Sequence, residues 1–87
     1  MERYRLLVKA SAAKEIEAVD SKTDRRRIVE RIGGLSANPR PNGVEKLAGY
    51  DDRYRLRQGS YRIIHLIDDS RLEVTVFKVG HRKEVYR

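Results

Sequence analysis

Arg55, Arg57 and Arg62 crowd into one short stretch, Tyr54 to Ile67, and Arg82 and Tyr86 follow further along the chain. A guanidinium keeps its charge at any relevant pH and grips phosphate oxygens two at a time. A tyrosine beside such groups offers a ring for an unstacked base, worth about 1–3 kcal/mol per base. Phosphate clamps with a stacking ring suit single-stranded RNA, whose bases can be splayed onto side chains. The chain has two histidines, His65 and His81. They are the side chains whose ordinary pKa, about 6.5, suits proton transfer near neutrality.

For the arginines to act together, the chain between them must be a hairpin. Tyr54-Arg-Leu-Arg alternates strictly, and successive side chains of a strand leave from opposite faces. Leu56 therefore enters a core while Arg55 and Arg57 project from the other side. Gln58-Gly59-Ser60 makes a tight turn, with Gly59 supplying the positive φ that short hairpin loops need. In the returning strand Arg62, Ile64 and Leu66 share one face, and Tyr61, Ile63, His65 and Ile67 share the other. Apolar residues on both faces mark a central strand, covered on both sides for most of its length. Three arginines so close together are costly to assemble unless an anion sits among them.

The remaining elements supply the frame. Arg3 to Lys9 reads as a strand, and Ser11 is placed to cap a helix on which Ala12, Ile16 and Val19 fall at helical spacing. A second helix is expected from Thr23-Asp24 to about Leu35, with Ile28, Ile32 and Leu35 on one stripe and Val29 beside it. Arg25, Arg26, Arg27, Glu30 and Arg31 form its outer, solvated face. Gly33-Gly34 weakens the last turn by roughly 1 kcal/mol per residue, so that end should fray or bend. Ala37 to Gly49 reads as loop, re-entering the fold at Leu47. Leu72 to Val79 is the last strand. The order is β-α-α-β-β-β, an α+β class with a mostly antiparallel sheet and two helices packed on one face. Residues 1–87 form a single domain. If the last strand pairs beside the Arg62 strand, all three arginines, Arg82 and Tyr86 converge on the face or rim without helices.

The chain has 87 residues and a net charge of +7. Such an excess concentrates polyanions around the molecule and favours nucleic acid over a membrane surface, although a solvated basic face has the same composition. The absence of cysteine excludes a disulfide scaffold and a thiolate metal site, and no metal or other cofactor is expected. The N-terminal residues carry no long apolar run, so neither a signal peptide nor a membrane span is expected, and the cytoplasm is the default location.

With these residues in place the chain resembles a RelE-type toxin of the RelE/ParE superfamily. The resemblance rests on Lys46-Leu47-Ala48-Gly49, on Tyr54-Arg-Leu-Arg-Gln-Gly-Ser-Tyr-Arg-Ile-Ile and on Val79-Gly-His-Arg-Lys-Glu-Val-Tyr. It implies a RelE-like microbial ribonuclease fold and the toxin of a type II toxin–antitoxin system. The implied activity is ribosome-dependent, metal-free cleavage of mRNA that inhibits translation, with the ribose 2′-OH attacking the adjacent phosphate. The implied partners are a RelB-like antitoxin, the ribosome and mRNA. Carried over by position, Arg62 and Arg82 would stabilise the phosphorane, Tyr86 would stack on or orient a base, and Arg55 and Arg57 would hold RNA. In the family pattern those two hairpin positions are lysines. Arginine does not lose its proton, so here they are clamps, and the general base is open, with His81 the nearer histidine in sequence to Arg82. The sequence runs one residue past Tyr86, so the C-terminal helix some relatives carry is not expected here. Two rivals remain: a ParE-like inhibitor of DNA gyrase, and a weakly catalytic homologue acting through its antitoxin.

Overall fold

Leu56 and Ile63 face each other across a two-residue turn and, with both side chains fully enclosed, start the core. The computed structural model describes residues 3–81. Its elements are β1 (Arg5–Val8), α1 (Ala10–Glu17), α2 (Lys22–Gly34), β2 (Glu45–Lys46), β3 (Arg53–Gln58), β4 (Tyr61–Asp68) and β5 (Glu73–His81). The five strands form one sheet in the order β1-β5-β4-β3-β2. β1 runs parallel to β5, and every other pairing is antiparallel. The expected order holds, with one addition: the two-residue β2 pairs with Arg55 and Tyr54 inside what reads as loop. Glu45-Lys46 is too short and too polar to show any period.

Both helices lie on one face. Ala12 and Val19 of the first helical region, and Ile28, Ile32 and Leu35 of the second, meet Leu56, Ile63, Ile67, Val74, Val76 and Val79 of the sheet. Val29 departs from expectation: it is 52% exposed, because one step of about 100° carries it off the buried stripe. Ser11 is not the cap either. The cap lies two residues earlier, at Lys9, with no side-chain cap, so α1 starts at Ala10 and Ser11 is exposed in its first turn. α2 is capped by Ser21, whose Oγ accepts from the Asp24 amide at 3.2 Å. It holds its helical form through Gly33 and stops at Gly34, where the buried Leu35 pins the end and donates its N–H to the Ile32 carbonyl.

β4 is the central strand, and Arg62, Ile63, Ile64, His65 and Ile67 are all buried. A bulge opposite Ile64 and His65 lets β5 change its alternation: Ile64 pairs with Lys78 and His65 with Val76, leaving Phe77 as the extra residue. Without it Val79 and Val76 could not both face the helices.

The far end of the sheet is tied to the loop after α2. Arg40 forms a bidentate ion pair with Asp69 at 2.8 and 3.2 Å, and the Tyr4 hydroxyl donates to the same carboxylate at 2.6 Å. Arg40 also lies over the Tyr54 ring. Beneath it His65 donates from Nε2 to the Pro39 carbonyl at 3.0 Å and stacks on Tyr54. Burial first, and then the Arg40 charge, push the His65 pKa below its ordinary 6.5. The hydrogen bonds from Arg40 and Tyr4 hold Asp69 below its ordinary 3.8. Both shifts have one sign for stability. The unfolded chain protonates its histidine below about 6.5 while the folded ring resists, so stability falls as pH drops from there toward the folded pKa. The Asp69 contribution is present above its ordinary value and goes as pH falls through the depressed one. Urea midpoints should therefore decline in two acidic stages, and His65→Phe should flatten the first. An unchanged slope in that variant would remove His65 from the acid response.

Candidate nucleic-acid interface

The arginine face is built by the β3–β4 turn. Gln58 pairs with Tyr61, so the loop is Gly59-Ser60, with φ of +60° at Gly59 alone. A positive φ only at the first loop residue is the type II′ pattern, whose twist matches that of the flanking strands. The resulting register sets Arg57 opposite Arg62 and Arg55 opposite Ile64, while Arg62 is opposite Gly80 on its other side. Arg55, Arg57 and Arg62 thus share the face that carries no helix.

Two further elements close this face into a cleft. Glu45 of β2 pairs with Arg55. Arg31 reaches from α2 around the β3 edge, where its Nη2 donates to the Arg57 carbonyl at 3.4 Å. The cleft has a volume of about 360 Å³ and is lined by Arg31, Gly43, Glu45, Arg55, Arg57 and Arg62. Among the described residues four guanidiniums face one carboxylate there, a net positive lining. Neighbouring like charges cost on the order of 1 kcal/mol at 4 Å in water and more where screening is reduced, so an anion is favoured there. Arg57 is exposed, whereas Arg62 is only 6% exposed and donates from Nη1 to the Tyr61 carbonyl at 3.2 Å. The sequence suggests an exposed Arg62; the central position of β4 instead sinks it into the floor.

Arg31 is the residue that sequence reasoning assigns to solvent. Its Nε is enclosed and has no hydrogen-bond partner. The signal was its position three residues after Ile28 and one before Ile32, which sets it on the border of the apolar stripe rather than opposite it.

His81 goes elsewhere. It pairs with Tyr61, whose ring it meets edge-on at 5.8 Å, on the helix side of the sheet. There it lines a second cleft of about 370 Å³ with Glu15, Asp20, Tyr61 and Val79. The sheet therefore separates His81 from Arg55, Arg57 and Arg62. His65 is fully buried in the packed network described above. Arg82 and Tyr86 lie outside the described residues. Among the described residues no group of three or more His, Asp or Glu could hold a metal ion, and no helix is long and apolar enough to cross a membrane.

Two helices on one face of a mixed five-stranded sheet make a fold shared with solved RelE toxin structures. A chain of the archaeal RelE–RelB complex from Pyrococcus horikoshii OT3 matches with a TM-score of 0.81 and 28% identity, covering 93% of this chain and 97% of that one. The isolated E. coli RelE toxin matches with a TM-score of 0.77 and 29% identity, covering 95% and 90%. Toxin RelE of Mycobacterium tuberculosis is 25% identical over 84 residues, spanning 97% of this chain and 87% of the relative. Toxin RelG of the same organism is 33% identical over 56 residues, a match spanning 64% of each protein. The family described as ParE toxin of type II toxin-antitoxin system, parDE, matches residues 6–86. The chain belongs to this family and is a RelE-type toxin of the RelE/ParE superfamily.

Proposed function

We propose that the chain cleaves mRNA on the ribosome without a metal ion. The observation that carries this reading is the cleft formed by Arg31, Arg55, Arg57 and Arg62 on the open sheet face. Arg55 and Arg57 clamp the RNA backbone. Arg62, with Arg82 beyond the described residues, stabilises the charge gathered at phosphorus as the ribose 2′-oxygen bonds to it and the 5′-oxygen departs. The 2′-OH proton is released to water and the leaving oxygen takes one up, giving a 2′,3′-cyclic phosphate and a 5′-hydroxyl. With His81 across the sheet, the cleft works mainly by holding the 2′-OH in line and neutralising the phosphorane. Tyr86 stacks on or orients a base.

An antitoxin protein is the proposed partner, in keeping with the RelE–RelB complexes among the structural relatives. Primer extension on an mRNA incubated with translating ribosomes tests the activity: discrete in-frame breaks are expected, and an intact message would sink it. The family description names ParE, which favours gyrase inhibition as the second reading. Blocked supercoiling with unbroken mRNA would select that one.

Affinity for ribosomes should fall steeply with salt, because each phosphate contact adds just under about one unit to the log–log slope. Arg57→Ala should flatten that slope by about one unit. A salt-independent affinity would locate recognition away from the arginines.

A further inference from the structure

Beside the cleft, on the same sheet face, three side chains form a column that phosphate binding does not explain. The Arg53 guanidinium carbon lies 4.3 Å from the centre of the Tyr50 ring and 5.1 Å from that of Phe77. Phe77 is the bulge residue of β5, and the bulge is what brings it to this column. Asp51 and Asp52 precede Arg53 in sequence, yet Arg53 forms an ion pair with neither, nor with any other described residue. Its Nε is enclosed and has no hydrogen-bond partner. The guanidinium is used as a flat surface.

Tyr50 is 48% exposed, one of three large hydrophobic side chains left in solvent among the described residues. A ring held against a guanidinium while the residue stays 48% exposed is fixed in orientation without being fully covered. Arg53 and Arg55 are two residues apart on β3 and share a face, so the column stands about 7 Å along the strand from the cleft. An RNA strand whose phosphate enters the cleft has a neighbouring base within reach of that ring.

We infer that Tyr50, oriented by Arg53, is a stacking platform for a base of single-stranded RNA flanking the phosphate held by Arg55, Arg57 and Arg62. The inference rests on RNA occupying the cleft, and it adds a base contact to a site otherwise made of charge. Stacking on one face tolerates any base, so the platform contributes affinity and register more than sequence choice.

The test measures binding of the intact chain to ribosomes carrying a short mRNA in which single nucleotides are made abasic in turn. Tyr50→Ala should weaken binding roughly 5- to 100-fold, the value of one stacked base, with the salt slope unchanged because no phosphate contact is lost. Tyr50→Phe should bind as the unaltered chain does. One abasic position should weaken the unaltered chain by the same factor and leave Tyr50→Ala unaffected. Tyr50→Leu preserves bulk over Arg53 without a ring, and recovery of affinity in that variant would reduce the column to loop packing and overturn the platform. Unchanged affinity of Tyr50→Ala, with binding still weakened and its salt slope flattened in Arg57→Ala, would overturn the platform and leave the cleft reading standing. Absence of salt-sensitive binding by the unaltered chain would overturn both.

Discussion

Arg62→Ala should slow single-turnover cleavage of ribosome-bound mRNA by about 100- to 1000-fold at saturating protein, the scale of losing one preorganised charge-stabilising donor. The reason lies in its placement. Arg62 is 6% exposed at the floor of the cleft, flanked by Arg57 and Gly80 on neighbouring strands. It forms no ion pair among the described residues, so its charge is not already committed to a carboxylate. A cation in that position is shielded from water more than the exposed Arg57, and acts more strongly on charge that develops during the reaction. Arg62→Lys retains charge without the planar fork and should fall between the two. Its hydrogen bond to the Tyr61 carbonyl is modest, so the alanine variant should still fold, as a thermal melt would confirm. Equal rates for Arg62→Ala and the unaltered chain would remove Arg62 from the chemistry.

Leu56→Ala should be the opposite kind of change, destructive to the fold rather than the site. Leu56 is completely buried between β3's two clamp residues in sequence and opposite Ile63 in space. Deleting its side chain loses transfer free energy and leaves a cavity that a sheet sandwiched under two helices cannot collapse, a cost of about 2–5 kcal/mol. In a domain of this size each kcal/mol moves the melting point about 4–8 °C. A fall of roughly 8–40 °C follows, whereas Arg57→Ala, one residue away and exposed, should move it only slightly. Comparable melting points for the two variants would mean the faces of β3 are assigned the wrong way round.

That contrast explains why so much of the hairpin could be read from sequence. Strict alternation through Arg55-Leu56-Arg57 and the Gly59 turn leave one register, because a slip by one residue would bury charge and expose Leu56. The helical stripes were legible for the same reason, down to Ile28, Ile32 and Leu35. What escaped has a common cause: it depends on tertiary contact rather than local pattern. β2 is a strand only because β3 offers it partners. Arg31 joins the cleft because the β3 edge lies beside its helix. His81 turns to the helix side because the bulge at Phe77 resets the alternation of β5, and a bulge has no fixed sequence mark. Val74 and Val76 against Val79 did carry the trace of that reset, two apolar positions in step and a third out of step.

The parallel pairing of β1 with β5 has a consequence in time. Arg5 is matched with Glu73 and Val8 with Val76, so the strand made first waits for the strand made last. During synthesis the β3–β4 hairpin can close from neighbouring residues, but the sheet cannot be completed until β5 has left the ribosomal tunnel. Contacts of such long sequence separation slow folding. A growing chain would thus hold its arginines in an unfinished sheet until β5 had emerged to pair with β1. Arrest-peptide force profiling of nascent chains should show the main folding signal only after residue 76 has emerged, with no comparable signal once the hairpin alone is free.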